Sequence, residues 1–245
     1  MNNGYNNNGM YYDPRQNPYY QNTTTSLSDF TRKVYGWMFI GLAITFGIAL
    51  AIVMNPETAL SIMFEHIEVY YILAGIELLL VFSLGFFVTK LPPAAALCIF
   101  FAYAAVNGLT TAPILLLYEL NTVICAFAVT ACIFGGMSLY GLVTKRDLSG
   151  LRPVLLFGLI GLLIFSIIAI FVNMPMSDLF ISLFGIALFI GFTAYDTQKI
   201  KKFYHASLGN PDLMKRGAIV SALQLYLDFI NLFLYILRLF ASRNN

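Results

Sequence analysis

Residues 217–238 read GAIVSALQLYLDFINLFLYILR, a run long enough to cross the roughly 30 Å hydrocarbon core of a bilayer as one helix. Its polar side chains recur at spacings of three and four, so they form one stripe along that helix. The residues of this polar stripe are Ser221, Gln224, Asp228, Asn231 and Tyr235. Since the opposite face carries Leu, Phe and Ile, the stripe has to turn away from lipid and towards other helices.

The composition of the whole chain agrees with this pattern. Of the 245 residues, 59% are hydrophobic and 11% are charged, against about 25% charged in an ordinary soluble domain. So few polar residues cannot cover a soluble protein, and a net charge of +2 is too small to build a nucleic-acid-binding face. The three cysteines lie in apolar runs and are expected to be small hydrophobes rather than disulfides. The composition therefore predicts a polytopic membrane protein.

Seven stretches of the chain are apolar and long enough to span a bilayer. They are Val34–Met54, Val69–Thr89, Ala94–Tyr118, Thr122–Val143, Pro153–Val172, Leu179–Gln198 and Gly217–Arg238. We therefore predict an all-α membrane protein, a seven-transmembrane-helix bundle. The basic segment Lys199–Arg216 is predicted to be a long loop between the last two spans.

The remaining residues predict the domain organisation and the orientation. Residues 1–29, rich in Asn, Tyr and Gln, are expected to be a disordered polar head, followed by a membrane domain at 30–240 and a short tail at 241–245. Twelve of the 14 basic residues fall on the side of the N-terminus, which predicts that this side is cytoplasmic. The exceptions, Arg238 and Arg243, would also fit a last segment that re-enters the membrane without crossing it.

Three carboxylates fall inside predicted spans: Glu77, Asp196 and Asp228. An ionisable group at that depth costs a few kcal/mol or more, so each is a candidate site residue that faces a protein interior or a water path. Asp228 is either a proton or cation site or polar glue between helices. Asp196, near the end of its span, is either its partner or a solvated helix end bonded to Lys199. Pairing requires the last helix to begin early, near Pro211.

Glu77, in the middle of the second span, has two interpretations. It either hydrogen-bonds a neighbour such as Asn107 in the third span or takes part in conduction.

Most catalytic chemistry is excluded by the residues that are available. The two histidines, His66 and His205, fall in loops, which excludes a three-histidine zinc hydrolase and a serine–histidine intramembrane protease. No Gly-rich phosphate loop precedes a helix, and no cofactor is expected. Tyr195-Asp196 resembles half of the pattern of presenilin-type intramembrane aspartic proteases, but the other half, Gly-x-Gly-Asp, is absent, since the sequence has LYLD at 225–228. We therefore expect no enzymatic activity.

Three motifs resemble the Bax inhibitor-1 family over roughly residues 29–240. They are GFTAYDTQ at 191–198, ALQLYLDFINLF at 222–233 and NGLTTAP at 107–113. The resemblance implies a bundle in which the seventh helix is central. The Asn-rich head, the compact loops and the lack of a retention signal suggest a bacterial plasma-membrane protein. The resemblance also implies a pH-sensitive calcium leak with Asp196 and Asp228 as the sensor. In the family a basic residue of the second helix can latch the first aspartate, and Lys90 is the basic candidate here.

The sequence thus favours a leak channel for Ca²⁺ that is gated by a proton shared between Asp196 and Asp228. The two carboxylates would bind Ca²⁺ only transiently. Two alternatives stay open: a non-conducting regulatory protein that binds other membrane proteins, such as a stress or membrane-protease modulator, and a proton-coupled transporter of a small solute. The expected partners are Ca²⁺, H⁺ and the lipid bilayer, with other membrane proteins under the regulatory alternative and nucleic acid excluded.

Overall fold

A computed structural model describes residues 26–55, 57, 67–87, 90–172 and 177–241 of the chain. Within these ranges the prediction of an all-helical protein is confirmed, because every long element is a helix and no strand occurs. The helices are α1 (Leu27–Val53), α2 (Ile67–Phe87), α3 (Pro93–Leu116), α4 (Leu120–Val143), α5 (Leu151–Val172), α6 (Ser177–Ala206) and α7 (Pro211–Ala241), with a 3₁₀ turn at Leu148–Gly150 before α5.

α1 begins seven residues before the predicted span because a capping box starts it. The Asp29 amide donates to Ser26 Oγ at 3.1 Å, and the Ser26 amide lies 3.4 Å from Asp29 Oδ2. Both backbone amides therefore have a side-chain acceptor at the start of the helix. Residues 27–29, predicted to belong to the polar head, therefore form helix. The rest of that head, residues 1–25, and residues 242–245 of the predicted tail lie outside the described residues.

The predicted long loop at Lys199–Arg216 is wrong. α6 continues to Ala206 and α7 starts at Pro211, which leaves a four-residue turn at 207–210. Gly209 takes the left-handed conformation at φ 84°, and Asn210 Oδ1 accepts from the Leu213 amide at 3.0 Å to cap α7. Hydropathy misses these extensions because their outer faces are charged, although an inner row that includes Ile200 and Met214 is buried.

Packing distinguishes the helices clearly. α7 packs against α1, α3, α4 and α6, whereas α2 packs on α3 and α5 packs on α6. In the most apolar stretch of α7, 67% of the residues are buried. In the most apolar stretch of Leu148–Ala169, which covers most of α5, the buried share is 11%. Large apolar side chains on the outer helices point away from the protein, among them Phe171, which is 82% exposed, and Phe157, which is 74% exposed.

Six of the seven helices are long and apolar enough to cross a membrane, α2 being the exception among the described residues. The chain is therefore a multi-pass membrane protein. α7 is one continuous helix of 31 residues, about 46 Å long, with no break that would let it re-enter. Near its C-terminus, Arg238 forms an exposed ion pair with Asp178 at the start of α6, so one of the two basic residues that depart from the predicted charge distribution has an acidic partner.

Candidate functional site

Two contacts set the register between α6 and α7. The α-carbon of Gly185 lies against the ring of Tyr235, since a Cβ there would be 2.7 Å from Tyr235 Cδ1, and Gly217 lies in the same way against Phe203. This register puts Asp196 level with Gln224, one helical turn, or about 6 Å, from Asp228.

The predicted pairing of the two aspartates is therefore geometrically possible only because α7 begins at Pro211. Asp196 is 8% exposed and Asp228 is 4% exposed. Asp196 is one of the charged groups that act electrostatically on Asp228, and the other is Lys199. The structure thus brings together two buried carboxylates on neighbouring helices.

The two carboxylates have different surroundings. Lys199 Nζ lies 3.8 Å from Asp196 Oδ1, and the charge of Arg152 at the start of α5 also acts on Asp196. In contrast, Asp228 Oδ2 is buried and has no hydrogen-bond partner among the described residues. A buried carboxylate oxygen without a partner is costly, so it requires a proton, a water or a cation.

The predicted role of Lys90 as a latch is not supported by its position. Lys90 is exposed in the turn between α2 and α3, whereas the cations at Asp196 come from α6 and α5. Lys199 follows Asp196 by three residues, and the contact between them was one of the two interpretations of Asp196 from the sequence, although the carboxylate is buried and not solvated. Arg152 could not have been found in this way, because its approach depends on how α5 packs against α6.

The α4 helix packs closely against α6 near Asp196. A Cβ on Gly141 would lie 2.5 Å from the Ala194 carbonyl oxygen, so the two backbones touch. One turn further, the Gln198 side chain holds the α4–α5 loop: its Oε1 accepts from the Leu148 amide at 2.8 Å and its Nε2 donates to the Arg146 carbonyl at 2.7 Å. The α4–α5 loop is therefore fixed to α6 by side-chain hydrogen bonds two residues beyond Asp196.

An exposed ion pair fixes the tip of the same loop. Lys202 Nζ donates to Asp147 Oδ1 at 2.8 Å, and the Ser149 amide donates to the same oxygen at 3.1 Å. These hydrogen bonds hold the pKa of Asp147 at about 2. Asp147 therefore stays charged throughout the neutral range.

The other members of the polar stripe are satisfied in different ways. Ser221 is buried, and its Oγ lacks a partner within the described ranges. Asn231 Nδ2 donates to the Leu227 carbonyl of its own helix at 2.8 Å. Tyr235 stacks on Phe189 of α6, with 5.8 Å between the ring centres. Gln224 is half-buried at the level of Asp196.

A second polar cluster lies on the opposite side of α7, and we define it as the Glu77 cluster. Its members are Thr45 of α1, Glu77 of α2, Asn107 and Thr110 of α3, and Tyr226 of α7. Thr110 Oγ1 donates to Glu77 Oε1 at 2.7 Å, and Asn107 is also a hydrogen-bond partner of Glu77. The sequence interpretation of Glu77 as a neighbour of Asn107 is therefore confirmed. Thr45 and Tyr226 were missed, because single polar residues in apolar runs give no spacing signal.

No group of three or more His, Cys, Asp or Glu side chains assembles in the part of the chain that the structure describes. The aspartate pair offers oxygen ligands for a hard cation, but two carboxylates are too few to form a closed metal site by themselves. The fold and this site together define a multi-pass membrane protein with two buried carboxylates between its last two helices.

Comparison with known proteins shows the family. Residues 27–245 match the sequence model of the family described as inhibitor of apoptosis-promoting Bax1. The chain is 36% identical over 218 residues to the inner membrane protein YbhL of Escherichia coli K12, covering 89% of this chain and 93% of that protein. It is 38% identical over 227 residues to an uncharacterized membrane protein of Streptococcus pyogenes serotype M1, covering 92% and 97%. The chain belongs to the Bax inhibitor-1 family.

Proposed function

We propose that this protein is a pH-sensitive calcium leak channel of the plasma membrane, gated by a proton that Asp196 and Asp228 share. The observation that carries the proposal is the buried Asp228 Oδ2, which has no partner in the described residues and lies one helical turn from the level of Asp196. The protein would need no cofactor and would catalyse no reaction, and its partners would be Ca²⁺, H⁺ and lipid.

The chemistry follows from the cost of charge in a low dielectric. Two buried carboxylates about one turn apart cannot both ionise cheaply, so they bind one proton jointly. The shared proton holds α6 and α7 together. Its loss leaves two repelling charges whose oxygens suit a hard cation such as Ca²⁺. Lys199, 3.8 Å from Asp196, is placed to neutralise that carboxylate when the proton leaves.

The proposal includes a seven-span topology with a cytoplasmic N-terminus and α7 at the centre. α2 has 21 residues, about 31 Å, and its charged residues are Glu68 and Glu77. It is therefore long enough to cross the membrane as the second span along the chain, which brings the total to seven. The start of α1, the α4–α5 loop and the α6–α7 turn lie at one end of the bundle, as the Phe30–Tyr204 ring contact and the Gln198 hydrogen bonds indicate. That end carries most of the basic residues, which supports placing it inside. The packing of α7 against four other helices supports its central position.

The decisive experiment is Ca²⁺ flux through the purified protein in sealed liposomes, measured over a series of pH values. We expect flux that changes most steeply between about pH 6 and 8, where an ordinary aspartate does not titrate. Asp147→Asn is the matched control, because that carboxylate is exposed, lies outside the spans and stays charged in this range. Absence of flux at every pH would contradict the proposal and favour the non-conducting regulatory alternative. A proton current that requires an added solute would favour a transporter.

A further inference from the structure

Tyr226 lies two residues before Asp228 on α7, and the two side chains therefore leave the helix in nearly opposite directions, about 200° apart. The Tyr226 side chain is fully buried among α1 and α3, whereas Asp228 faces the α6 side with Asp196. Any rotation of α7 about its axis must move both groups together.

The ring of Tyr226 is held in a closely packed socket. Phe100 and Tyr103 pack edge-on against it, with ring centres 5.5 Å and 5.8 Å away. Gly41 of α1 provides the space on the remaining side, since a Cβ there would lie 3.2 Å from Tyr226 Cδ2 and 2.7 Å from the Phe100 ring. The ring has no room to swing without displacing a neighbouring helix.

The Tyr226 hydroxyl joins three helices at one oxygen. It lies 2.6 Å from Thr45 Oγ1 of α1 and donates to Asn107 Oδ1 of α3 at 3.1 Å. Thr45 Oγ1 also lies 2.8 Å from the Ala104 carbonyl of α3, and because the Tyr226 proton goes to Asn107, the single Thr45 proton is donated either to Tyr226 or to that carbonyl. α1 and α3 are themselves in backbone contact here, because a Cβ on Gly108 would lie 2.7 Å from the Thr45 carbonyl oxygen. The hydroxyl is thus anchored to a pair of helices that cannot easily shift.

We propose that Tyr226 is a positioning residue: its hydroxyl, anchored on Thr45 and Asn107, fixes the rotation of α7 at which Asp228 faces Asp196. The inference rests on the proposed function of the aspartate pair. A rotation of α7 by about 30° would move a side-chain end about 6 Å from the helix axis by about 3 Å. That displacement is enough to break the hydrogen bonds of the Tyr226 hydroxyl, so α7 can rotate Asp228 away from Asp196 only if the hydroxyl leaves its partners.

The charged and titratable groups on each face are few. Lys199 and Asp196 act on Asp228, and Arg152 acts with Lys199 on Asp196. On the other face, Tyr103 and Glu77 are the titratable groups that act on Tyr226. The Tyr226 hydroxyl is therefore a neutral anchor between a carboxylate on α2 and the pair on α6 and α7.

The test is Tyr226→Phe, which keeps the ring and removes the hydroxyl, with Tyr103→Phe as the matched control in the same socket. We expect Tyr226→Phe to move the pH midpoint of Ca²⁺ flux by about half a unit to one unit towards acid, the equivalent of one ordinary hydrogen bond. Thr45→Val should move it in the same direction, and the double variant should add little because the two groups act as one unit. Tyr103→Phe should leave the midpoint in place.

A second readout does not depend on flux. Gly217 lies on nearly the same face of α7 as Asp228 and contacts Phe203 of α6. The pair Phe203→Cys and Gly217→Cys, with the three native cysteines replaced by Ala, therefore reports the rotation of α7 through its rate of oxidation to a disulfide. Tyr226→Phe should slow cross-linking several-fold in this background, and Tyr103→Phe should not.

The outcomes separate the two proposals. Absence of flux in the parent protein would refute the channel, while the cross-linking comparison would still decide the role of Tyr226. An unchanged cross-linking rate in Tyr226→Phe would overturn the positioning role. An equal change in Tyr103→Phe would overturn it as well, because the socket and not the hydroxyl would then orient the helix.

Discussion

The substitution Asp228→Asn tests the aspartate pair most directly. The amide keeps the shape of a side chain that is 4% exposed and removes its charge. The register of α6 on α7 offsets the two residues by about 6 Å along the helix axes, and we take this offset as the working distance between the charges. At an effective dielectric constant of about 20, two unit charges at that distance interact by about 3 kcal/mol. This interaction equals about two pH units, which is the predicted displacement of the flux midpoint towards acid.

The assay is Ca²⁺ entry into indicator-loaded liposomes after pH steps between about 5 and 8. Flux through Asp228→Asn should be nearly independent of pH from about 6 to 8, where a single ordinary aspartate has finished titrating. Asp196→Asn should behave in the same way, and the double variant should add little. Asp147→Asn should keep the parent profile. If both single variants keep the parent midpoint, the pair is not the sensor, and Asp228 is better explained as a structural contact.

Three further predictions concern topology, the N-terminus and packing. A reporter that is active only in the cytoplasm should work when inserted near Gly209 and be silent near Asn121; the reverse pattern would overturn the proposed orientation. Deletion of residues 1–25 should leave flux nearly unchanged. Ser26→Ala should lower the melting temperature through the loss of about 1 kcal/mol of helix capping; an unchanged melting temperature would contradict the role of the cap. Gly141→Leu should reduce the yield of folded protein, measured by size-exclusion chromatography in detergent, because its Cβ would lie 2.5 Å from a backbone carbonyl of α6, and a normal yield would mean that α4 and α6 can separate there.

The sequence predicted the helices better than their ends. Apolar runs identify the spans because lipid accepts no other side chains in bulk, but α6 and α7 continue where only an inner row, such as Ile200 and Met214, is apolar. An average of hydropathy combines that row with the charged outer face, so the predicted spans end before the helices do. The start of α1 at Leu27 depends on the hydrogen bonds of Ser26, which a search for apolar runs does not register.

The residues of the site were predictable where polar side chains recur at regular spacing along one helix. Asp228 was found from the spacing of the polar stripe, and Asp196 from its position in the preceding span. The approach of Arg152 and the anchoring of Tyr226 were not predictable in the same way. Each depends on which helices become neighbours in the bundle, and nothing in the local sequence around either residue records that choice.

The unusual length of α6 has an electrical consequence. Asp196 lies about 28 Å along the helix from its start at Ser177, nearly the full thickness of the hydrocarbon core. In the proposed orientation, a proton from the cytoplasm reaches the pair across only a small part of the membrane voltage, whereas a cation that enters from outside crosses most of it. A full crossing is worth about 2.3 kcal/mol per charge at 100 mV. Membrane voltage would therefore drive the ion strongly while barely influencing the protonation that gates it.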